Sequence, residues 1–273
     1  MSPFDLTNLS ALKAWLGLPS ALGPNDATLT ALVTAASRSV YAALSRPSLL
    51  PRSFAETIDL ETSRVTLRHW PVLQVASVTW RGTDVPPDES ADPEASVGYV
   101  LEPGDDVPPG RPQALDLFGH RYGPGRQSLV ISYSAGYAVQ NEAQTVPAAA
   151  PLQLTAFSPY GPWGSDLGVT YSATGVSLTL VSASPAAGQY AVSAGTYAFS
   201  AADAGQSVSI SYGYVPQDIA QATLELAAER FRAAERIGLK SKSIGGQETI
   251  AYDMSAMSAP IQAMLQPYMR VTL

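Results

Sequence analysis

The stretch PQDIAQATLELAAERFRAAERIGLKSKSIGG, residues 216–246, decides how the chain is organised. Pro216 and Asp218 are typical of a helix start, and Gly238 is typical of a helix end. The apolar residues between them recur at helical spacing: Ile219, Leu226, Ala227, Phe231, Ala234 and Ile237. The pattern predicts the one long helix of the second half. Because residues 50–214 have the pattern of strands and turns, this helix needs a packing partner that is distant in sequence.

The best partner is a second predicted helix over residues 26–45. Asn25 or Asp26 is its candidate N-cap, and Arg46-Pro47 ends it because the residue before proline avoids the helical region. One stripe of this helix is apolar: Leu29, Leu32, Val33, Ala36, Val40, Ala43 and Leu44. The opposite face is mostly Ala, Ser and Thr with Arg38 alone charged, so both faces could be packed.

A shorter helix is predicted over residues 7–17, with Thr7 as its cap and Gly17 at its end. Its apolar face comprises Leu9, Leu12, Trp15 and Leu16.

The middle of the chain has the period of two that is typical of strands. The first group of predicted strands covers residues 53–60, 65–67, 75–80, 97–101, 114–118 and 128–133. Residues 84–112, rich in proline and acids, predict exposed loops around one edge strand, 97–101. The second group covers residues 152–157, 168–171, 176–181, 189–193, 196–199 and 207–212. Turns at roughly ten-residue spacing in this group predict a β-sandwich.

Two similar strands mark the boundaries of the second group. SLVISYSAGYA spans residues 128–138, SVSISYGYVP spans residues 207–216, and only the second continues into the late helix. Either the likeness is chance, or a β module has been inserted between a strand and the helix that it once preceded. The second interpretation predicts an inserted domain at 140–213, and one further domain from 1–139 together with 214–273. The fold class is then α+β: a small helical bundle with an antiparallel β subdomain, plus an inserted all-β sandwich-like domain.

The composition excludes several classes of protein. The 273 residues include no cysteine, which excludes disulfides and zinc–thiolate sites. A net charge of -7 gives no general basic surface for nucleic acid. Only 14% of residues are charged, either because other subunits cover the surface or because the sequence is rich in small residues. Without a long apolar run or a signal-peptide pattern, the chain is predicted to be soluble and to contact no membrane.

No constellation of reactive groups predicts an enzyme. His69 and His120 each lack a second ligand at metal spacing, no Gly-x-Ser-x-Gly elbow occurs, and 244–246 lacks the lysine of a phosphate-binding loop. The acids within residues 88–106 could bind calcium, but their spacing favours a solvated loop. We therefore predict no catalytic residue, no metal site and no cofactor.

Two features could serve binding. Basic residues gather at the end of the late helix, and the tail adds an aromatic and a basic residue: Arg230, Arg232, Arg236, Lys240, Lys242, Tyr268 and Arg270. Three roles are open for these residues. They could complement the helix dipole and pair with Glu229 and Glu235, they could form a protein interface, or they could contact DNA directly. In the tail, Ile261, Met264 and Leu265 have helical spacing, so residues 258–273 either pack on their own domain or dock on a neighbour.

Several weak motifs occur in a fairly specific order: the early helix ending in SRP, LRHWPV at 67–72, ISYSAGY at 131–137, VPQDIAQATLELAAERF at 215–231, and SKSIGG and QPYMR near the end. In this order they resemble the head-tail connector (adaptor) proteins of tailed bacteriophages and prophages. The resemblance covers roughly residues 5–137 and 214–270. The block at 140–213 departs from it and resembles the immunoglobulin-like or related β modules found in many phage structural proteins.

The resemblance implies a non-enzymatic ring, commonly of twelve subunits, in the neck of a virion assembled in the bacterial cytoplasm. Its partners would be further copies of the chain, the portal protein, and a tail-side stopper or tail-completion protein. DNA would pass through the ring without sequence-specific binding, which suits an acidic chain, because a strongly basic lumen would retain the phosphates. The seven residues at the helix end and tail would then contact a neighbouring subunit or the portal.

A binding module is the main alternative function. The β module would recognise a carbohydrate or decorate a capsid surface, with Tyr160, Trp163 and Tyr171 as contact residues, and the helices would serve as a scaffold. An enzyme with an ungrouped site is the second alternative, and the missing His, Cys and acid constellation argues against it.

Overall fold

The computed structural model describes residues 4–88, 97–105, 107–119, 122–234, 241–244, 248–251 and 257–270, with the backbone alone for 241–244 and 248–251. Residue contacts divide the chain into a helical unit, 1–47 with 216–270, and a β unit, 48–215. Helices and antiparallel sheets occur together, which confirms the α+β class. The predicted insertion of 140–213 concerns how the sequence was built, and it stays a prediction.

The helical unit contains α1 (Leu9–Leu16), α2 (Asp26–Leu44), α3 (Gln217–Ala233) and α4 (Ala259–Leu265). The α3 helix is the late helix predicted from the sequence, and it contacts α1, α2 and α4. Its predicted pairing with α2 is therefore confirmed. The predicted stop at Gly238 lies outside the described residues.

Small side chains explain how α3 packs against three neighbours. Ala222 and Ala227 are fully buried, and Ala220 and Ala228 are nearly so. The buried hydroxyl of Thr223 donates to the Ile219 carbonyl at 2.8 Å, so it leaves no unsatisfied polar group inside the bundle. Consequently α3 is buried on more sides than the single apolar stripe that the sequence predicted.

The predicted cap and apolar face of α1 are wrong in detail. Asn8 caps the helix, since its side chain accepts a hydrogen bond from the Ala11 amide at 2.8 Å, and Thr7 does not. Trp15 is 49% exposed, whereas Lys13 is buried. The Lys13 ammonium lies 2.9 Å from an Asp26 carboxylate oxygen, and this hydrogen-bonded contact lowers the pKa of Asp26.

The first part of the β unit contains two sheets. One has the order β1-β7-β3-β4, from β1 (Arg52–Leu60), β3 (Val72–Trp80), β4 (Thr83–Asp84) and β7 (Gly125–Ala135). The other has the order β2-β6-β5, from β2 (Arg64–Thr66), β5 (Gly98–Leu101) and β6 (Ala114–Phe118). The predicted edge strand is confirmed, because β5 lies at the edge of its sheet. Apolar residues of these strands, including Leu115, Leu129 and Ile131, form one core.

The second part of the β unit also contains two sheets. The order β10-β14-β8 is formed by β8 (Ala138–Thr145), β10 (Trp163–Tyr171) and β14 (Ser207–Tyr214). The order β11-β12-β13-β9 is formed by β9 (Gln153–Thr155), β11 (Thr179–Leu180), β12 (Gln189–Ser193) and β13 (Thr196–Phe199). Residues of both sheets, among them Val169, Tyr197 and Ile210, share one core.

Some strands differ from the prediction. The β8 strand was not predicted, because AVQNEAQT has no aromatic residue and only Val139 and Thr145 as β-branched residues, and it is held by pairing with β14. The predicted strand at 176–181 is reduced to the two residues of β11. A further antiparallel pair, β15 (Ser241–Ile244) with β16 (Glu248–Ala251), was also not predicted.

Overpacking at the centre of α3 should test its role. We expect Ala222→Leu to lower the free energy of unfolding of the helical unit by about 1–3 kcal/mol, because the larger side chain has no space between the helices. Denaturant titration followed by circular dichroism at 222 nm measures the change. The control is Ala233→Leu at the exposed end of the same helix, where a change within about 0.5 kcal/mol is expected. Equal stability of the two variants would contradict the central position of α3.

Candidate functional site

The described basic residues of α3 have different environments. Arg230 is half-buried, and its guanidinium donates to the Ser39 hydroxyl of α2 at 2.8 Å, so it helps to hold the helical unit together. Arg232 is exposed. Of these two arginines, Arg232 is therefore the one whose side chain is available to a partner.

The tail residues are placed by contacts within the helical unit. Tyr268 is 2% exposed, and its hydroxyl donates to the Asp218 carboxylate of α3 at 3.0 Å. The Arg270 amide donates to the Leu44 carbonyl at 3.0 Å, which caps one of the last carbonyls of α2. The sequence left two alternatives for the tail, and this part of it packs on its own unit.

The remaining predicted contact residues stay predictions. Arg236 and Lys240 lie outside the described residues, and Lys242 lies in β15, where only the backbone is described. The structure brings Arg230 and Arg270 to the same helix, α2, through Ser39 and Leu44.

A groove along the carboxyl-terminal half of α2 was not predicted from the sequence. It encloses about 360 Å³ and is lined by Phe4, Asp5, Thr34, Arg38, Tyr41, Ala42, Arg46 and Pro47. Arg38 is exposed, whereas Arg46 is buried. Arg46 and Arg270 also lie at the carboxyl end of α2, where positive charge is favoured by the helix dipole. The isolated charge of Arg38 on a small-residue face was the sequence signal that could have indicated this surface.

Tyrosine hydroxyls donate to several carboxylates of the β unit. Tyr133 donates to Glu56, and Tyr212 donates to Glu142. These two pairs occupy equivalent places in the similar strands β7 and β14.

The pattern continues in the second part of the β unit. Tyr190 and Tyr197 donate to Asp166 at 2.6 and 3.1 Å, and Tyr171 donates to Asp203. Burial and the neighbouring carboxylates raise the pKa of Tyr190 and Tyr197. The arrangement keeps these phenols neutral as hydrogen-bond donors, so it supports the fold and does not form a proton-transfer site.

The aromatic residues of the binding alternative are engaged inside the β unit. Trp163 packs against the second core and donates its indole N–H to the Tyr197 hydroxyl at 3.2 Å. Tyr171 donates to Asp203, and the Tyr160 ring lies 5.7 Å from the Tyr214 ring. The three residues therefore take part in core and turn packing.

The residues considered for metal binding are also paired. Glu102 accepts from Arg64 at 2.8 Å, and Asp105 lies 3.4 Å from Arg111. Within the described ranges, no group of three or more His, Asp or Glu residues could hold a metal ion. His69 stacks on Phe54 with ring centroids 3.8 Å apart, while His120 lies outside the described residues. No helix among the residues described is long and apolar enough to cross a membrane.

The tyrosine–carboxylate pairs predict a loss of stability at high pH. Burial and Glu142 raise the pKa of Tyr212 to about 12, whereas a tyrosine in the unfolded chain titrates near 10. The folded state thus retains a proton that the unfolded state releases, so stability is full below pH 10 and falls as the pH rises towards 12. Thermal melts from pH 8 to 12, with tyrosinate absorbance, measure this.

Tyr212→Phe is the informative variant for this prediction. It should lower the unfolding free energy at neutral pH by about 1–3 kcal/mol, because Glu142 loses one of its donors and the Ser158 amide loses its acceptor. It should also make the decline above pH 10 shallower. Tyr160→Phe, at a half-exposed ring, is the control and should change neither property. A decline of unchanged steepness in Tyr212→Phe would contradict the assignment.

The Tyr268–Asp218 hydrogen bond should anchor the tail on α3. We expect Tyr268→Phe to lower the unfolding free energy by about 0.5–1.5 kcal/mol and to speed proteolytic release of the tail, because the buried hydroxyl is lost. The neighbouring Met269→Ala, at a 46% exposed residue, is the control. Release rates that are equal in the two variants would show that the bond does not hold the tail.

Comparison with known proteins gives no family assignment. No family model matches the sequence, and no curated protein matches it. Two solved structures cover 100% of this chain and 94% of their own. One is the neck of an empty gene transfer agent particle, computed with C6 symmetry, at 13% identity and a TM-score of 0.36. The other is the virion of a native gene transfer agent particle, at 14% identity and a TM-score of 0.42.

Proposed function

We propose that the chain is a structural protein of the neck of a tailed phage or phage-like particle. Copies of it form a ring, commonly of twelve subunits, that joins the portal to the tail-side proteins and continues the DNA channel. The chain contributes no catalysis and is made in the cytoplasm of a bacterial host.

The observation that carries this proposal is the order of the connector-like motifs and the elements on which they lie. LRHWPV runs into β3, ISYSAGY forms the end of the central strand β7, VPQDIAQATLELAAERF begins α3, and QPYMR contains the tail anchor Tyr268. The α2 and α3 helices, which are distant in sequence, pack together. Each motif thus has a structural role in placing a helix or a sheet, and none contributes a reactive group.

The geometry of residues 137–214 supports an inserted module. Ala138 pairs with Gly213 in the sheet, and the Tyr214 amide donates to the Tyr137 carbonyl at 3.1 Å. The beginning and the end of the block therefore lie side by side, as an insertion into an existing connection requires. We propose that 140–213 is an inserted sandwich-like domain and that 1–139 with 214–273 is the connector domain.

The docking surface we propose lies on the helical unit. Arg232 and Arg38 are exposed, and the α2 groove combines charge with the apolar surfaces of Phe4, Tyr41 and Pro47. Arginine beside aromatic and apolar surface is the composition typical of protein interfaces. Tyr268 and Arg230 contribute indirectly, by holding the tail and α3 in place.

The proposal can be tested with purified portal rings from the same particle. The full chain should join the portal in a defined number of copies, as measured by native mass spectrometry. Arg232→Glu should weaken this binding about tenfold at low salt, and less at high salt, because an exposed interface charge is screened. Arg126→Glu, an equal charge change at an exposed site of the β unit, is the control. Failure of the unmodified chain to join the portal would refute the neck role.

A further inference from the structure

Residues 138–214, here called the uncharged block, carry no Lys, Arg or His. The three acids of the block are Glu142, Asp166 and Asp203, and each accepts a hydrogen bond from a tyrosine hydroxyl of the block. About a quarter of the residues of an ordinary domain are charged, and these charges keep its surface soluble. The uncharged block has no cation and uses its three anions internally.

The sheet orders place four strands at two opposite edges of the block. The β8 and β9 strands share one edge, where the Gln144 side chain donates to the Thr155 carbonyl at 3.0 Å. The β10 and β11 strands share the other edge, where the Leu178 amide donates to the Val169 carbonyl at 2.8 Å. The interior strand β14 lies between β8 and β10, so these edges face in opposite directions.

The β8/β9 edge presents one large apolar side chain on a braced loop. Phe157 is 79% exposed. Its amide donates to the Glu142 carboxylate at 3.1 Å, and the next amide, that of Ser158, donates to the Tyr212 hydroxyl at 2.9 Å. Prolines at 159 and 162 restrict the loop further. Because the backbone under the aromatic is already fixed, less entropy is lost when it binds, which is a property of interface anchors.

The β10/β11 edge presents three exposed apolar side chains. Leu167, Val176 and Leu180 are 42%, 58% and 51% exposed. Leu167 is the extra residue of a β-bulge, because the pairing with β14 passes from Asp166 directly to Gly168. Bulges at sheet edges redirect side chains, and here the bulge is occupied by an exposed leucine.

Neither edge has the lysine or arginine that usually protects a sheet edge, although residues 176–178 pair with the backbone of β10 at Val169 and Tyr171. Soluble proteins place lysine or other charged residues on exposed edge strands to prevent pairing with other chains. The edge strands of the block contain only Glu142 and Asp166 as charged residues, and both accept tyrosine hydroxyls. Large apolar side chains exposed at both of these edges indicate that another protein covers them.

We propose that the uncharged block packs head to tail with the uncharged block of a second copy of this chain. Phe157 of one copy would contact Leu167, Val176 and Leu180 of the next. Two different surfaces at opposite edges generate the head-to-tail contact that closes a ring. The block brings no lysine or arginine to the contact, and the carboxylates of Glu142 and Asp166 accept hydrogen bonds within their own copy. The inference rests on the proposed ring, to which it adds the contact between copies.

The absence of cysteine allows a direct test by cross-linking. Thr155→Cys and Ser177→Cys place single thiols at exposed positions of the two edges and leave the apolar anchors in place. With a short bis-maleimide reagent, an equal mixture of the two variants should cross-link, and each variant alone should not. Cross-linking of Thr155→Cys with itself would indicate a two-fold contact and would overturn the head-to-tail arrangement.

Two further measurements test whether Phe157 is the anchor and whether the contact between copies is apolar or electrostatic. Phe157→Ser in the Thr155→Cys chain should reduce the cross-linked yield at least about tenfold, by loss of the aromatic anchor. Phe4→Ser, at a 57% exposed phenylalanine of the helical unit, is the matched control and should leave the yield unchanged. Raising the salt concentration should not lower the yield, because the block has no cation and the contact therefore contains no ion pair between copies. A yield that falls steeply with salt would contradict the proposal.

Cross-linking of the free chain and of the chain on portal rings separates this inference from the proposed function. Portal-bound copies that do not cross-link would overturn the inference and leave the neck role intact. Cross-linking without any portal binding would support the inference and refute the neck role. A chain that neither cross-links nor binds the portal would refute both the contact between copies and the neck role. Retention on a glycan array together with no cross-linking would replace the contact between copies with carbohydrate binding.

Discussion

The packing of α3 against three other helices is the constraint on which the helical unit depends. The buried alanines of α3 let its neighbours approach closely, and the Thr223 hydroxyl is satisfied by its own helix, so it adds no unpaired polar group to the contact. Since α2 and α3 are distant in sequence, their contact closes a long loop. The entropy of loop closure grows only with the logarithm of length. Adding residues 140–213 less than doubles this loop, which costs under about 0.6 kcal/mol. An insertion at this point is therefore compatible with the α2–α3 contact.

A second constraint acts within the β unit, where carboxylates and tyrosines occur in matched pairs. A carboxylate near a core is costly unless it accepts hydrogen bonds, and a phenol supplies one without adding a positive charge. The same solution appears in β7 with Glu56 and in β14 with Glu142. Because the acids of the second part accept hydrogen bonds from tyrosines, that part needs no arginine or lysine to pair with them.

Elements with strong periodic patterns were predictable from the sequence. The β12 and β13 strands have the predicted bounds, and the α2–α3 pairing followed from two apolar stripes that each needed a partner. The β8 strand was missed because its stability comes from pairing with β14, which no local pattern records. Lys13 was missed for a similar reason: its burial depends on Asp26, which lies in the next helix.

The candidate site was less predictable than the fold. Arg232 is exposed, as an interface residue must be, whereas Tyr268 is hydrogen-bonded to Asp218 of its own chain. The sequence of an apolar tail does not show whether its aromatic residue contacts its own chain or a neighbouring subunit. The exposed Phe157 was hidden for the opposite reason. A phenylalanine beside a strand predicts a core residue, and only the amide contacts with Glu142 and Tyr212 show that the backbone turns it outwards.

The distribution of charge separates two kinds of contact within one chain. The helical unit carries exposed arginines, whose attraction for a partner acts over about a Debye length, roughly 8 Å at physiological salt. The uncharged block has no exposed arginine or lysine to attract a partner over that distance, and its apolar edges attract a partner only on direct contact. Charged contacts raise the rate of encounter, whereas apolar contacts at a braced aromatic slow dissociation. In the proposed ring, the arginines would speed the first encounter with the partner. The apolar contacts between uncharged blocks would then keep the closed ring from dissociating. Apolar contact between copies is also promoted by local concentration, because copies bound side by side on one partner meet at a far higher effective concentration than in solution.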